Sequence, residues 1–152
     1  MSILFDLITN GENETAKLGA ALADRVVGDD ALPKYIAFSG DLGVGKTVFI
    51  RGFITRLIPG AKISSPTYGI VHEYFAALPV YHFDMYRISD EDDLYSIGYY
   101  EYAEKNAILL VEWSENIEFA LPERYILVSI TKPSLDSPDR REVKAEVIGE
   151  AI

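Results

Sequence analysis

The apolar positions of this chain switch between a helical and a strand period, and the switches divide it into elements. Ala16, Leu18, Ala20, Leu22 and Val26 lie in a predicted helix running to Val27, which Gly28-Asp29-Asp30 ends. Ahead of it, Thr9-Asn10-Gly11-Glu12 has the S/T-x-x-E spacing of a capping box. Tyr35 to Ser39 is a short uncharged run with β-branched and aromatic residues, the pattern of a buried strand. Val48 to Leu57 returns to helical spacing, with Phe49, Phe53 and Leu57 on one face, and Pro59-Gly60 stops it. Tyr68 to Phe75 and Val80 to Asp84 read as strands divided by a loop that ends in Pro79. Short helical pieces are expected around Leu94 to Ala103. Ala107-Ile108-Leu109-Leu110-Val111 is wholly apolar, as a strand buried on both faces requires. Tyr125 to Thr131 and Arg141 to Ile148 form an expected final hairpin around the turn-rich segment from Pro133 to Pro138.

Between the Tyr35 strand and the Val48 helix lies Gly40-Asp41-Leu42-Gly43-Val44-Gly45-Lys46-Thr47, a gapless match to G-x-x-x-x-G-K-[ST]. Glycines let the backbone turn tightly, so that successive N–H groups converge on phosphate oxygens. Lys46 supplies a mobile positive charge for the β- and γ-phosphates, and Thr47 a hydroxyl suited to Mg²⁺. A strand, a glycine loop and a helix in that order put phosphates at a helix N-terminus, where unpaired N–H groups and the helix dipole favour anions. The chain is therefore expected to bind a nucleoside triphosphate. The fold class that follows is α/β, a P-loop NTPase-like three-layer fold whose central sheet is mostly parallel, with antiparallel C-terminal strands.

Composition narrows the setting. The 152 residues have room for one domain, and no repeat, low-complexity tract or linker divides them. No apolar run approaches the ~18–20 residues that cross a bilayer, and Met1 to Asp6 lacks the basic start of a secretory signal, so a cytoplasmic protein is expected. The absence of cysteine excludes disulfides, thiolate metal sites and cysteine nucleophiles. A net charge of −10 argues against this chain alone gripping nucleic acid, which needs clustered Lys and Arg. The acidic run Asp90-Glu91-Asp92-Asp93 reads as a solvated turn and helix start.

A phosphate loop needs groups that hold Mg²⁺ and position a water, and such groups stand at the C-terminal ends of neighbouring strands. Glu112 closes the apolar run ending at Val111, and Asp84 closes the strand from Val80. On the residues alone, Ser65-Pro66-Thr67-Tyr68 is a proline-ordered turn before a strand. His82 reads as structural, a lone strand histidine that packs or makes one hydrogen bond. Arg87 reads as the ion-pair partner of a nearby acid, the alternative being a finger on the γ-phosphate.

Four segments together carry a family resemblance. The loop Gly40 to Thr47, Ser65-Pro66-Thr67-Tyr68, His82-Phe83-Asp84-Met85-Tyr86-Arg87 and Leu109-Leu110-Val111-Glu112-Trp113 occur here in the order and at the intervals found in the TsaE (formerly YjeE) family of small bacterial P-loop ATPases. The likeness runs from near Glu12 to Leu121-Pro122 and weakens in the C-terminal hairpin; Ser114 stands where a proline is common. The resemblance implies an ATPase that works with a TsaB–TsaD heterodimer to make N6-threonylcarbamoyladenosine in tRNAs reading codons that begin with A. ATP binding and hydrolysis would act as a switch for repeated cycles, and tRNA would be met only through the complex.

The roles expected on this basis follow. Asp41, Leu42, Gly43, Val44, Gly45, Lys46 and Thr47 hold the nucleotide, with Thr67 resembling a switch threonine and Trp113 at the nucleotide-sensitive surface. Thr47 is expected to ligate Mg²⁺, and Glu112 to hold it directly or through a water. Lys46, Asp84 and Glu112 are the catalytic candidates, Asp84 either orienting or deprotonating the attacking water or holding the metal a second time. The alternative is a small-molecule kinase, which would share the loop and the strand-end acids but usually adds an arginine-bearing lid; Arg140 and Arg141 lie instead in a turn-flanked strand. No N-K-x-D run for guanine and no L-S-G-G-Q of transport ATPases is present.

Overall fold

A computed structural model of the chain describes residues 2–40, 44–63 and 71–149. The elements in order are β1 (Ser2–Asn10), α1 (Glu12–Gly28), β2 (Tyr35–Ser39), α2 (Lys46–Leu57), β3 (Val71–Tyr74), β4 (Val80–Asp84), α3 (Glu91–Ser96), α4 (Tyr99–Ala103), β5 (Ile108–Glu112), a 3₁₀ turn (Ser114–Ala120), β6 (Tyr125–Thr131) and β7 (Arg140–Ile148).

The strands form one seven-stranded sheet in the order β1-β7-β6-β2-β5-β4-β3. Its centre, β6-β2-β5-β4, is parallel. Both margins are antiparallel: β3 on β4 at one side, β7 on β6 and β1 on β7 at the other. The expected fold class holds with a redistribution. β6 belongs to the parallel centre, and the antiparallel strands come from the N-terminus and the middle of the chain as well as from its C-terminal part.

Strand alternation sorts the core into two halves. Ile36, Phe38, Ile108, Leu110, Ile126 and Val128 face one side, where they pack with Leu22 and Val26 of α1 and Phe49 and Phe53 of α2. Tyr35, Ala37, Tyr81, Phe83, Leu109 and Val111 face the other, against Leu94, Tyr99 and Ile117 of the short helical segments. Residues of β2 and β5 are buried on both faces, which is why those runs carry no alternation in sequence. The helices cross at backbone distance: a Cβ at Gly19 would collide with the carbonyl oxygen of Phe49, and one at Gly52 with that of Ala16.

β1 is the element that the apolar pattern hides. Its register on β7 slips between Ile3 and Phe5, so that consecutive residues Leu4 and Phe5 both pack toward the core. As an edge strand it also leaves Ile3, Leu7 and Ile8 about half exposed, which erases the alternation a half-buried strand would present. The capping box is corrected for the same reason. Pairing with β7 continues to Asn10, so Thr9 stays in the strand and bonds its hydroxyl to that of Thr15 at 2.7 Å. Gly11 is the N-cap of α1 and no side chain caps it; Glu14, not Glu12, accepts from the Asn10 N–H. The acidic run behaves as expected: Asp90 caps α3 by accepting from the Asp93 N–H, and Asp93 accepts from the Ser89 N–H and hydroxyl. No helix among the described residues is long and apolar enough to cross a membrane.

Candidate active site

β2 ends at Ser39, and the chain must then leave the centre of the sheet for α2. Gly40 begins that exit with φ of 143°, and a Cβ there would collide with the carbonyl oxygen of Ile130 on β6. The first glycine of the motif is thus required by sheet packing as well as by the turn. Asp41, Leu42 and Gly43 lie outside the described residues, as do Ser65 to Tyr68 with Thr67. From Val44 onward the loop closes into α2, whose N-cap is Gly45 and whose first buried residue is Lys46.

A cavity of about 430 Å³ opens at this end of the sheet, lined by Gly45, Lys46, Thr47, Asp84, Glu112 and Trp113 from the expected set. The strands explain the convergence: β4 and β5 are parallel neighbours in register Asp84↔Glu112, and β5 lies next to the loop-bearing β2. Val44 does not line the cavity. It is buried, and its carbonyl is held by Arg141.

Each polar group has a defined setting. The Lys46 ammonium donates to the Gly40 carbonyl at 2.7 Å and sits 4.5 Å from the centre of the Trp113 ring. Trp113 reaches that place because it holds a left-handed backbone, φ 58° and ψ 39°, the one described residue other than glycine with positive φ. Its ring also packs on Tyr86 at 5.0 Å. Asp84 Oδ1 accepts from the Tyr86 N–H at 2.9 Å, and the Asp84 carboxyl is pushed above its ordinary range by burial, with the Glu112 charge adding to the rise and the Tyr86 bond opposing it. Glu112 is buried and accepts from His82 Nε2 at 2.7 Å.

Residues without a conspicuous motif complete the site. Arg141, at the start of β7, also lines the cavity; its Nε donates to the Val44 carbonyl at 2.7 Å, and its Nη1 to Pro138 and Arg140 carbonyls. Gly11, Glu12, Thr15 and Asp139 line the opposite wall, brought there by β1–β7 pairing and a Gly11 N–H bond to the Asp139 carbonyl. Ser114 ties the turn after Trp113 to β2, its hydroxyl donating to the Phe38 carbonyl at 3.2 Å; proline could not make that bond. Asn116 holds the exit from β4 through the Met85 and Tyr86 carbonyls. Arg87 is exposed and has no ion pair among the described residues.

The oxygen donors present suit a hard divalent cation. Thr47 and Glu112 line one cavity, and a hydroxyl plus a carboxylate fit Mg²⁺, which keeps several waters and takes its remaining ligands from phosphates. Among the described residues no three His, Cys, Asp or Glu side chains gather into a dedicated metal cage.

A parallel four-strand centre with helices on both faces, and a G-x-x-x-x-G-K-[ST] loop between its middle strand and a helix, define a protein of the P-loop NTPase-like class. Comparison with known proteins narrows this. The family model "Threonylcarbamoyl adenosine biosynthesis protein TsaE" matches residues 9–143, and the chain belongs to the TsaE family. The tRNA threonylcarbamoyladenosine biosynthesis protein TsaE of Bacillus subtilis is 37% identical over 135 residues, 88% of this chain and 78% of that protein. The protein of the same description from Haemophilus influenzae is 42% identical over 96 residues, which span 62% of this chain and 61% of that one. The crystal structure of YdiB from Bacillus subtilis superposes with a TM-score of 0.70 at 27% identity, covering 98% of this chain and 89% of YdiB.

Proposed function

We propose that the chain is the Mg²⁺-dependent ATPase subunit of the machinery that forms N6-threonylcarbamoyladenosine in tRNA, acting with a TsaB–TsaD heterodimer in the cytoplasm. The observation that carries this reading is the convergence of Lys46, Thr47, Asp84 and Glu112 on one cavity at the C-terminal ends of β2, β4 and β5. Membership of the TsaE family supports the pathway, and the net charge of −10 supports tRNA being held by partners rather than by this chain.

In this reading, backbone N–H groups from Gly43 to Thr47 cradle the phosphates, and the Lys46 ammonium leaves the Gly40 carbonyl to neutralise charge on the γ-phosphoryl group. Thr47 and Glu112 hold Mg²⁺, which when bound draws charge from the phosphate oxygens. Asp84 orients the attacking water and accepts its proton. Its raised carboxyl pKa makes it a better base than an ordinary surface aspartate. Trp113 covers Lys46, and Thr67 senses the γ-phosphate. Binding and release of ATP then switch the complex between cycles.

The test is ATP hydrolysis by the purified chain with Mg²⁺, alone and with TsaB–TsaD. Stimulation by the heterodimer, lost in Lys46→Ala with the fold intact, is expected. Turnover that persists in Lys46→Ala would overturn the site, and a phosphorylated small molecule as product would move the assignment to a kinase.

A further inference from the structure

Beside this site lies a buried histidine for which phosphate chemistry has no direct use. His82 is wholly enclosed in the middle of β4. Its register partner on β5 is Leu110, and Asp84 is the partner of Glu112. His82 and Glu112 are therefore diagonal neighbours on one face of the sheet, the face that α1 and α2 cover. Their side chains meet at 2.7 Å, from Nε2 to Oε2.

The hydrogen on that bond has one possible owner. A carboxylate only accepts, so Nε2 carries the hydrogen, and in the neutral imidazole Nδ1 is left as a bare lone pair. Nδ1 is buried and has no hydrogen-bond partner among the described residues. A histidine used for packing alone would be poorly chosen here, since it leaves a polar atom unsatisfied where an aliphatic side chain would leave none. What the ring accomplishes lies at its other nitrogen. One oxygen of Glu112 is taken, the carboxylate plane is set, and the remaining oxygen stays available to the cavity that Glu112 lines.

We infer that His82 is a positioning residue for Glu112, fixing the carboxylate in the orientation that receives the divalent cation. The inference rests on the reading of Glu112 as a Mg²⁺ holder. Groups that stand behind a metal-binding carboxylate restrict its rotation before the ion arrives, and their loss typically costs about tenfold to a hundredfold in metal affinity or activity.

The test compares full-length wild type, His82→Leu and His82→Gln in complex with ATP, using Mn²⁺ as a paramagnetic probe for the Mg²⁺ position. His82→Leu is expected to weaken Mn²⁺ binding about tenfold or more while metal-free ATP affinity is unchanged. His82→Gln, whose amide N–H can still donate, is expected to recover most of it. Mn²⁺ affinity in His82→Leu equal to wild type would overturn the inference, as would a Gln variant no better than Leu at equal thermal stability. A measurement without substitution guards against misfolding. The chain has two histidines, His72 and His82, so nitrogen NMR of histidine-labelled protein can read the tautomer directly. Hydrogen on Nε2 of His82 is expected, and hydrogen on Nδ1 with Nε2 bare would overturn the inference. A wild-type protein that binds ATP but takes up no Mn²⁺ would instead remove the metal-dependent reading itself, a failure visible before any variant is made.

Discussion

β4 and β5 end side by side, each in a carboxylate, and the two carboxylates sit in different surroundings. Glu112 is buried, with a histidine beneath it and the Ser114 bond to β2 fixing the turn just beyond. Asp84 is half-buried, and among the described residues its carboxyl's hydrogen bond comes from the backbone of its own turn, at Tyr86. Equal register positions on adjacent strands therefore do not make equal acids. What lies behind the side chain decides: Glu112 is held from a neighbouring strand, and Asp84 only from its own turn, which suits the first to the proposed role of ligand and the second to that of base. The raised carboxyl pKa of Asp84 belongs to this second kind of site.

The largest break in this comparison is expected from Glu112→Ala. It removes the carboxylate and leaves the His82 N–H buried without an acceptor, a cost of about 1–3 kcal/mol in stability. Mg²⁺-dependent turnover should fall to background while ATP binding falls less. Chemical denaturation and a turnover assay read the two effects separately, and equal loss of binding and turnover would make Glu112 a structural residue.

Asp84→Asn should act in the opposite direction on stability. Turnover is expected to drop about a hundredfold or more, the usual scale for a general base. Because the folded carboxyl pKa lies above the unfolded one, the folded state binds the proton more readily and stability falls as pH rises through the raised value. The amide has no such cost. Thermal melts should therefore show Asp84→Asn more stable than wild type at neutral pH, with the gap closing in acid. A variant less stable than wild type at neutral pH would contradict the assignment of that shift to burial.

The smallest effect belongs to Ser114→Ala. Loss of the hydroxyl bond to Phe38 is expected to cost about 1 kcal/mol, seen as a lower denaturation midpoint. ATP affinity should stay near wild type. A large loss of turnover would mean that the fixed character of Glu112 depends on this turn as well as on His82.

Much of the sheet's centre was legible in the amino-acid pattern because β2, β4 and β5 are short apolar runs with acids or a glycine loop at one end. Lys46, Thr47, Asp84, Glu112 and Trp113 could be brought forward for that reason, and all five line one cavity. The opposite wall could not. Arg141 and Asp139 join Gly11 and Thr15 in the lining only because β1 pairs with β7, and β1 itself is disguised by a bulge and by edge exposure. The His82–Glu112 bond spans 30 positions and depends on a diagonal between parallel strands, for which no local spacing exists.

The glycine contacts between α1 and α2 carry a mechanical consequence. With Gly19 pressed on the Phe49 carbonyl and Gly52 on the Ala16 carbonyl, the two helices interlock in both directions like toothed bars. A larger residue at either position would meet backbone rather than a side chain that could swing aside, so substitution must push the two helices apart. The position of α2, and with it of the loop at its N-terminus, is therefore set by two glycines outside that loop. On the other side of the site, Ser114 fastens the turn after β5 to β2 and Asn116 fastens it to the exit from β4, so the strand ends that carry Asp84 and Glu112 are tied to each other as well as to the sheet.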